Sequence, residues 1–173
     1  MRDANIKKLV LAALMAALTY VATSIVQIPS PMQGYVNLGD CIVLLSGWIL
    51  GPWWGAAAGG IGSMLVDLLG VYAHYAPGTL IIKGVDALAA ALIFRAMGRS
   101  KTALLVSGTV GEIIMVVGYF FYASLILGKG LAAAASIPGN IVQGIAGVAI
   151  GMALAMVLQK TKSSVIRGFN MQQ

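Results

Sequence analysis

Apolar residues run along this chain in six blocks, at about 8–27, 40–51, 54–72, 78–97, 102–127 and 131–158. The breaks between them fall at PSPMQGYVNLG, GPWWG, YAHYAPG, RAMGRSK and GKG, where glycine, proline and charge punctuate the chain. Each block predicts a helix. The second is short and passes almost directly into the third through Gly51-Pro52, so the division between those two is the least marked.

Composition turns these helices into spans. Of 173 residues 60% are hydrophobic and only 9% charged, with a mean hydropathy of +0.93, outside the range of water-soluble domains. In hydrocarbon no backbone N–H or C=O can be left unpaired, and a helix of about 20 apolar residues satisfies its own. The expectation is an all-α integral membrane protein, a six-transmembrane-helix bundle forming a single transmembrane domain over residues 1–173. The first block outruns a signal-peptide core and lacks a small-residue cleavage pattern after it, so it reads as a mature helix.

Charge adds direction. If six spans place both termini on one side, that side holds Arg2, Lys7, Lys8, Arg95, Arg99, Lys101, Lys160, Lys162 and Arg167, while the other holds Lys129, with Lys83 inside a span. By the positive-inside rule both termini are cytoplasmic. The net charge of +6 is scattered over these flanks and forms no face for nucleic acid. PSPMQGYVNLGD and YAHYAPG then become outer loops, and Asp40 stands at the outer mouth of the second helix. Cys41 and His74 are the only residues of their kinds, which excludes a disulfide within the chain and any cysteine-based or multi-histidine metal site; no cofactor is expected.

Ionisable side chains within a span are costly unless paired or hydrated, so each is a functional candidate. Four of the five acids, Asp40, Asp67, Asp86 and Glu112, lie in or at the edge of spans. Lys83 and Asp86, three apart, share a helix face: they form an ion pair, or Lys83 holds a polar group of a ligand. Asp67 reads as a helix–helix hydrogen bond. Glu112 lies close to the midplane, as a functional carboxylate or as a neutral carboxyl bonded to a neighbour. Asn140 and Gln143 in PGNIVQG share a face and offer amide donors and acceptors to a neutral heteroaromatic or hydroxylated ligand, or bond helices together. Tyr119, seven residues from Glu112, could wall an aromatic pocket with Tyr35, Tyr72, His74 and Tyr75; Tyr72 and Tyr75 serve equally as interfacial belt residues, as Trp53 and Trp54 do at the inner turn. In the first helix, Ala12 with Ala16 and Ala13 with Ala17 make a small-residue face for packing inside the bundle or for docking another protein. Neither G-x-x-x-x-G-K-[ST] nor G-x-S-x-G occurs, so neither a P-loop ATPase nor a serine hydrolase is expected.

The six spans, the basic N-terminus, the alanine face, and the stretches GYVNLGD, APGTLIIKG and PGNIVQG together resemble the substrate-binding S component of energy-coupling factor (ECF) transporters. The likeness is greatest to the branch with hydroxymethylpyrimidine, pyridoxine and riboflavin-type members, and covers nearly the whole chain. It implies a transport subunit and not an enzyme, in a prokaryotic plasma membrane, which captures a vitamin or precursor under the first outer loop. It also implies partners: a membrane coupling subunit docked on the first helix, through Ala12, Ala13, Ala16 and Ala17, and two cytoplasmic ATPases. Carried onto this sequence, the binding residues would be Tyr35, Asn37, Asp40, Lys83, Tyr119, Asn140 and Gln143, with Glu112 added. Hydroxymethylpyrimidine or pyridoxine is the favoured substrate, with pantothenate or riboflavin as alternatives. An autonomous proton-coupled carrier using Glu112 or Asp67, or a membrane scaffold that transports nothing, would account for the same composition, although no inverted repeat relates the two halves.

Overall fold

A computed structural model describes residues 2–31 and 33–160, with the side chains of 5–31 and 33–159. Lys162 and Arg167, counted in the charge asymmetry, lie outside the described residues, as do the side chains of Arg2 and Lys160. Six α-helices account for the six blocks: α1 (Arg2–Ile25), α2 (Asp40–Leu50), α3 (Pro52–Leu69), α4 (Ala76–Ala96), α5 (Lys101–Phe121) and α6 (Ile137–Lys160). α5 widens into one π-helical turn at Tyr122–Ile126, and α6 is preceded by a 3-10 helix at Gly130–Ser136.

The all-helical expectation needs one correction. The first outer loop contains an antiparallel hairpin, β1 (Gln27–Ser30) and β2 (Gly34–Asn37), in register from Gln27 opposite Asn37 to Ser30 opposite Gly34. Four-residue strands are too short for an alternating pattern to emerge, and Pro29 and Gly34 within them signal only a turn.

Four helical stretches are long and apolar enough to cross a membrane: Asn5–Ile25, Ala76–Ala96, Lys101–Ile126 and Gly130–Gln159. Neither α2 nor α3 is among them, against the expectation of six spans; the 11 residues of α2 extend only about 16 Å at 1.5 Å per residue. α2 is instead the central helix, with nine of its residues buried and α1, α3, α4 and α6 packed around it. Encased by protein, it needs no length to satisfy lipid. Beneath the hairpin end, Leu44, Leu45, Trp48, Phe94 and Leu104 form the apolar core, where the Trp48 indole donates to Ser107 Oγ at 3.0 Å.

Gly51 alone separates α2 from α3. Its φ of 84° and ψ of −174° lie in a region that only glycine occupies readily, and Pro52 then starts α3. A Cβ here would also meet the Arg95 guanidinium, 2.8 Å from Cζ. Gly51→Ala is therefore expected to destabilise the protein by about 1–3 kcal/mol, read as a lowered midpoint in thermal unfolding of the detergent-solubilised chain.

On α1 the two alanine pairs line one apolar groove against α3 but differ in burial. Ala12 is buried and Ala16 half-buried, its carbonyl packed against Gly62 of α3, whereas Ala13 and Ala17 are exposed. Neighbouring residues on a helix point about 100° apart. The first pair thus packs more deeply against α3, and the second is the more exposed part of the same groove.

Candidate ligand pocket beneath the hairpin

A polar cavity of about 40 Å³ lies between the hairpin and the ends of α1, α3, α4, α5 and α6. Its walls follow from helix spacing. Ser63 and Asp67 on α3, and Thr79 and Lys83 on α4, are each four residues apart and so stack on one face; Asn140 and Gln143 do the same on α6.

Two hydrogen-bonded networks tie these walls together. In the first, the buried Lys83 ammonium pairs with Asp40 at the start of α2, and the other Asp40 oxygen accepts from Gln143 Nε2 at 2.7 Å. Gln143 Oε1 in turn accepts from the Asn37 backbone N–H at 2.7 Å, and Asn37 Oδ1 accepts from the Gly39 N–H at 2.8 Å. The hairpin is thereby pinned to α6. In the second network Asp67 accepts from the Tyr35 hydroxyl at 2.6 Å and from Thr79, whose hydroxyl also pairs with that of Tyr119 at 3.0 Å. Lys83 Nζ lies 5.5 Å from the centre of the Tyr119 ring, within cation–π range. Burial, and then the Asp67 carboxylate, hold the Tyr35 phenol above its ordinary pKa, so it remains a donor.

Tyr35, Asn37, Lys83, Tyr119, Asn140 and Gln143, six of the residues singled out in the sequence, therefore meet on the cavity wall. Asp40 and Glu112 do not. Asp40 lies behind Lys83 and Gln143 and orients both; Glu112 lies under Gly144 and Gly147 of α6 and borders a groove between α5 and α6 outside the cavity. A Cβ on Gly147 would come within 2.8 Å of both Asp40 Cβ and Glu112 Oε1, so glycine is what lets α6 close over these acids.

The Lys83–Asp86 ion pair is corrected. A helical side chain leans toward the N-terminus of its helix, which carries the Lys83 ammonium toward the hairpin and Asp40, away from Asp86 one turn deeper. The buried Asp86 carboxylate has no hydrogen-bond partner among the described residues, and with Asp40 and Glu112 it brings three carboxylates together, one oxygen of each within 4.8 Å of the others. Such an all-oxygen set suits a hard cation or shared protons.

Asp67 makes the helix–helix hydrogen bond expected of it, accepting from Thr79 of α4, and it also holds Tyr35 of the hairpin and lines the cavity; sequence reasoning missed Thr23, Ser30, Ser63, Thr79 and Ser136 as lining residues. The four-residue spacings from Ser63 to Asp67 and from Thr79 to Lys83 were the available signal. Of the aromatic residues, Tyr75 is buried on the wall 6.2 Å from Tyr119, Tyr72 stacks on Tyr35 at 4.7 Å, and His74 is exposed. Tyr35→Phe removes one of two donors to Asp67. It is expected to raise the dissociation rate of a captured ligand about tenfold, the size of one charge-assisted hydrogen bond, measurable by stopped-flow fluorescence.

Comparison with known proteins agrees with this architecture. The family model described as "ECF-type riboflavin transporter, S component" matches residues 3–160. A thiamine precursor transporter, HmpT of Lactococcus lactis subsp. cremoris, is 31% identical over 171 residues, 98% of this chain and 96% of that protein. An uncharacterised protein of Pyrococcus woesei is 39% identical over 142 residues, 81% of this chain and 93% of its own length. Among solved structures, an S component of a bacterial ECF transporter superposes with a TM-score of 0.69 at 20% identity, covering 91% of this chain and 98% of that one, and so shares the fold. With a family match over almost the entire length and a helix bundle to go with it, the chain belongs to the S components of ECF-type transporters, multi-pass membrane subunits for transport of vitamins or their precursors.

Proposed function

We propose that this chain captures a small pyrimidine or pyridine vitamin precursor, hydroxymethylpyrimidine or pyridoxine, at the outer face of a prokaryotic plasma membrane. It delivers the ligand with an ATP-driven module of one membrane coupling subunit and two cytoplasmic ATPases. Both termini are cytoplasmic, and the hairpin faces outward as the lid. Tyr35, Asn37, Lys83, Tyr119, Asn140 and Gln143 contact the ligand; Asp40 positions Lys83 and Gln143; Ala13 and Ala17 dock the coupling subunit.

The observation that carries this reading is the narrow polar cavity under the hairpin, walled by amides, hydroxyls and aromatic rings. Its volume of about 40 Å³ holds about three waters, so a heteroaromatic ligand enters only when the hairpin lifts. A one-ring compound asks less expansion than the three-ring flavin for which the family model is named, and the 31%-identical relative is named for a thiamine precursor. The test is native mass spectrometry of protein purified in detergent from cells grown in rich medium, with a thermal-shift titration against a vitamin panel. A stoichiometric pyrimidine or pyridine ligand supports the reading; exclusive binding of riboflavin overturns the choice of substrate, and no ligand from the panel overturns capture.

A second reading, an autonomous proton-coupled carrier, draws on the buried Asp40, Asp86 and Glu112 cluster. Uptake into vesicles free of any ATPase and driven by a proton gradient would establish it in place of the first.

A further inference from the structure

Most polar groups on the cavity wall are already satisfied by one another. Asp67 has two donors, Lys83 has Asp40, and Gln143 bridges Asn37 and Asp40. Three buried hydroxyls stand apart from these networks. Thr23 on α1, Ser63 on α3 and Ser30 on the hairpin line the cavity with buried oxygens that have no hydrogen-bond partner among the described residues. Thr23 and Ser63 are only 2% and 3% exposed.

Their orientation is unusual for helical hydroxyls, which ordinarily bond the carbonyl four residues back. Thr19, Ser24 and Ser46 in this protein do so, to Met15, Tyr20 and Ile42. Thr23 and Ser63 make no such bond. A Cβ at Gly39 would overlap Thr23 Oγ1, so the hairpin's junction with α2 lies directly against that hydroxyl.

We propose that Thr23, Ser30 and Ser63 form a subsite that reads the hydroxyl-bearing edge of the captured ligand and selects the free alcohol over its phosphate ester. The inference rests on the capture of a small vitamin precursor and adds which edge of it is read, and by what. Each hydroxyl is both donor and acceptor, matching a neutral alcohol that is also both. None carries charge. A phosphate would bring about two negative charges beside Asp67, where the cavity's ammonium, Lys83, is already paired with Asp40.

The test is isothermal titration of the full chain in detergent with three probes: 4-amino-5-hydroxymethyl-2-methylpyrimidine, the analogue with methyl in place of hydroxymethyl, and the phosphate ester. Thr23→Val and Ser63→Ala are the variants, with Ser30→Ala on the hairpin as a third that keeps the test open if a helix variant fails to fold. The unmodified chain should bind the alcohol at least about tenfold more tightly than either other probe, and each variant should lose about five- to tenfold for the alcohol, the size of one hydrogen bond. Affinity for the methyl analogue should stay within about twofold, since that probe makes no bond to lose. Equal losses for alcohol and methyl analogue, unchanged affinities, or phosphate ester bound as tightly as alcohol would each overturn the subsite while leaving capture standing. An unmodified chain that binds none of the three overturns the pyrimidine reading, and this subsite with it.

Discussion

Asp40→Ala is expected to abolish ligand capture and to destabilise the protein by about 3–5 kcal/mol, the cost of leaving a buried charge without its partner. Asp40 is fully buried and serves two residues at once, pairing with Lys83 through one oxygen and accepting from Gln143 through the other. Gln143 in turn holds the Asn37 backbone. Removing the carboxylate therefore frees an ammonium on the cavity wall and loosens the hairpin that roofs it. Combining Asp40→Ala with Lys83→Met removes the orphaned charge, and should recover most of the stability but none of the binding. Unfolding of the two variants in detergent, alongside titration with ligand, separates the two effects. A loss below about 1 kcal/mol for Asp40→Ala would mean that Asp86 or Glu112 takes over the ammonium, and that Asp40 is not its principal counter-ion.

Ala13→Leu with Ala17→Leu is expected to reduce uptake in cells to background while leaving ligand affinity within about twofold. Both alanines are exposed on α1 and line an apolar groove between α1 and α3, with Ala57 and Ile61 on its far wall. Between helices in lipid there is little hydrophobic drive, so association depends on close backbone approach, and small residues permit it. Leucine would hold a partner helix off. The matching change at Ala12 is predicted to behave differently, because Ala12 is 6% exposed and packs in the core; there leucine overpacks the bundle, and stability and binding fall together. Normal uptake by the Ala13/Ala17 variant would remove this groove as the docking surface.

The family assignment and the pocket depend on different kinds of information. Family membership follows from likeness along residues 3–160. The pocket follows from contacts between residues far apart in the chain: Asp40 with Lys83, Tyr35 with Asp67, Asn37 with Gln143. Six of the eight binding residues expected from the sequence reach the cavity wall, because intramembrane polar side chains are few and gather where they can satisfy one another. The two that do not, Asp40 and Glu112, lie behind it.

By itself the sequence determined the number of the α-helices and the part of the chain each occupies, the polar residues available and the positions of the breaks, while α5 and α6 end and begin inside their apolar blocks at a π-helical turn and a 3-10 helix. Hydrocarbon imposes long apolar runs, and glycine and proline end them wherever the chain is. Only the tertiary structure decided which partner each polar residue takes. Helix spacing puts Lys83 and Asp86 on one face, but the lean of the side chain and the approach of α2 give the ammonium to Asp40. The same spacing cannot tell Ala12 from Ala13, since which face of α1 looks inward depends on how the helix is rotated against Gly62 of α3. Nor can it show that Thr23 and Ser63 turn away from their own backbone, a choice made by the cavity that five helices and a hairpin enclose.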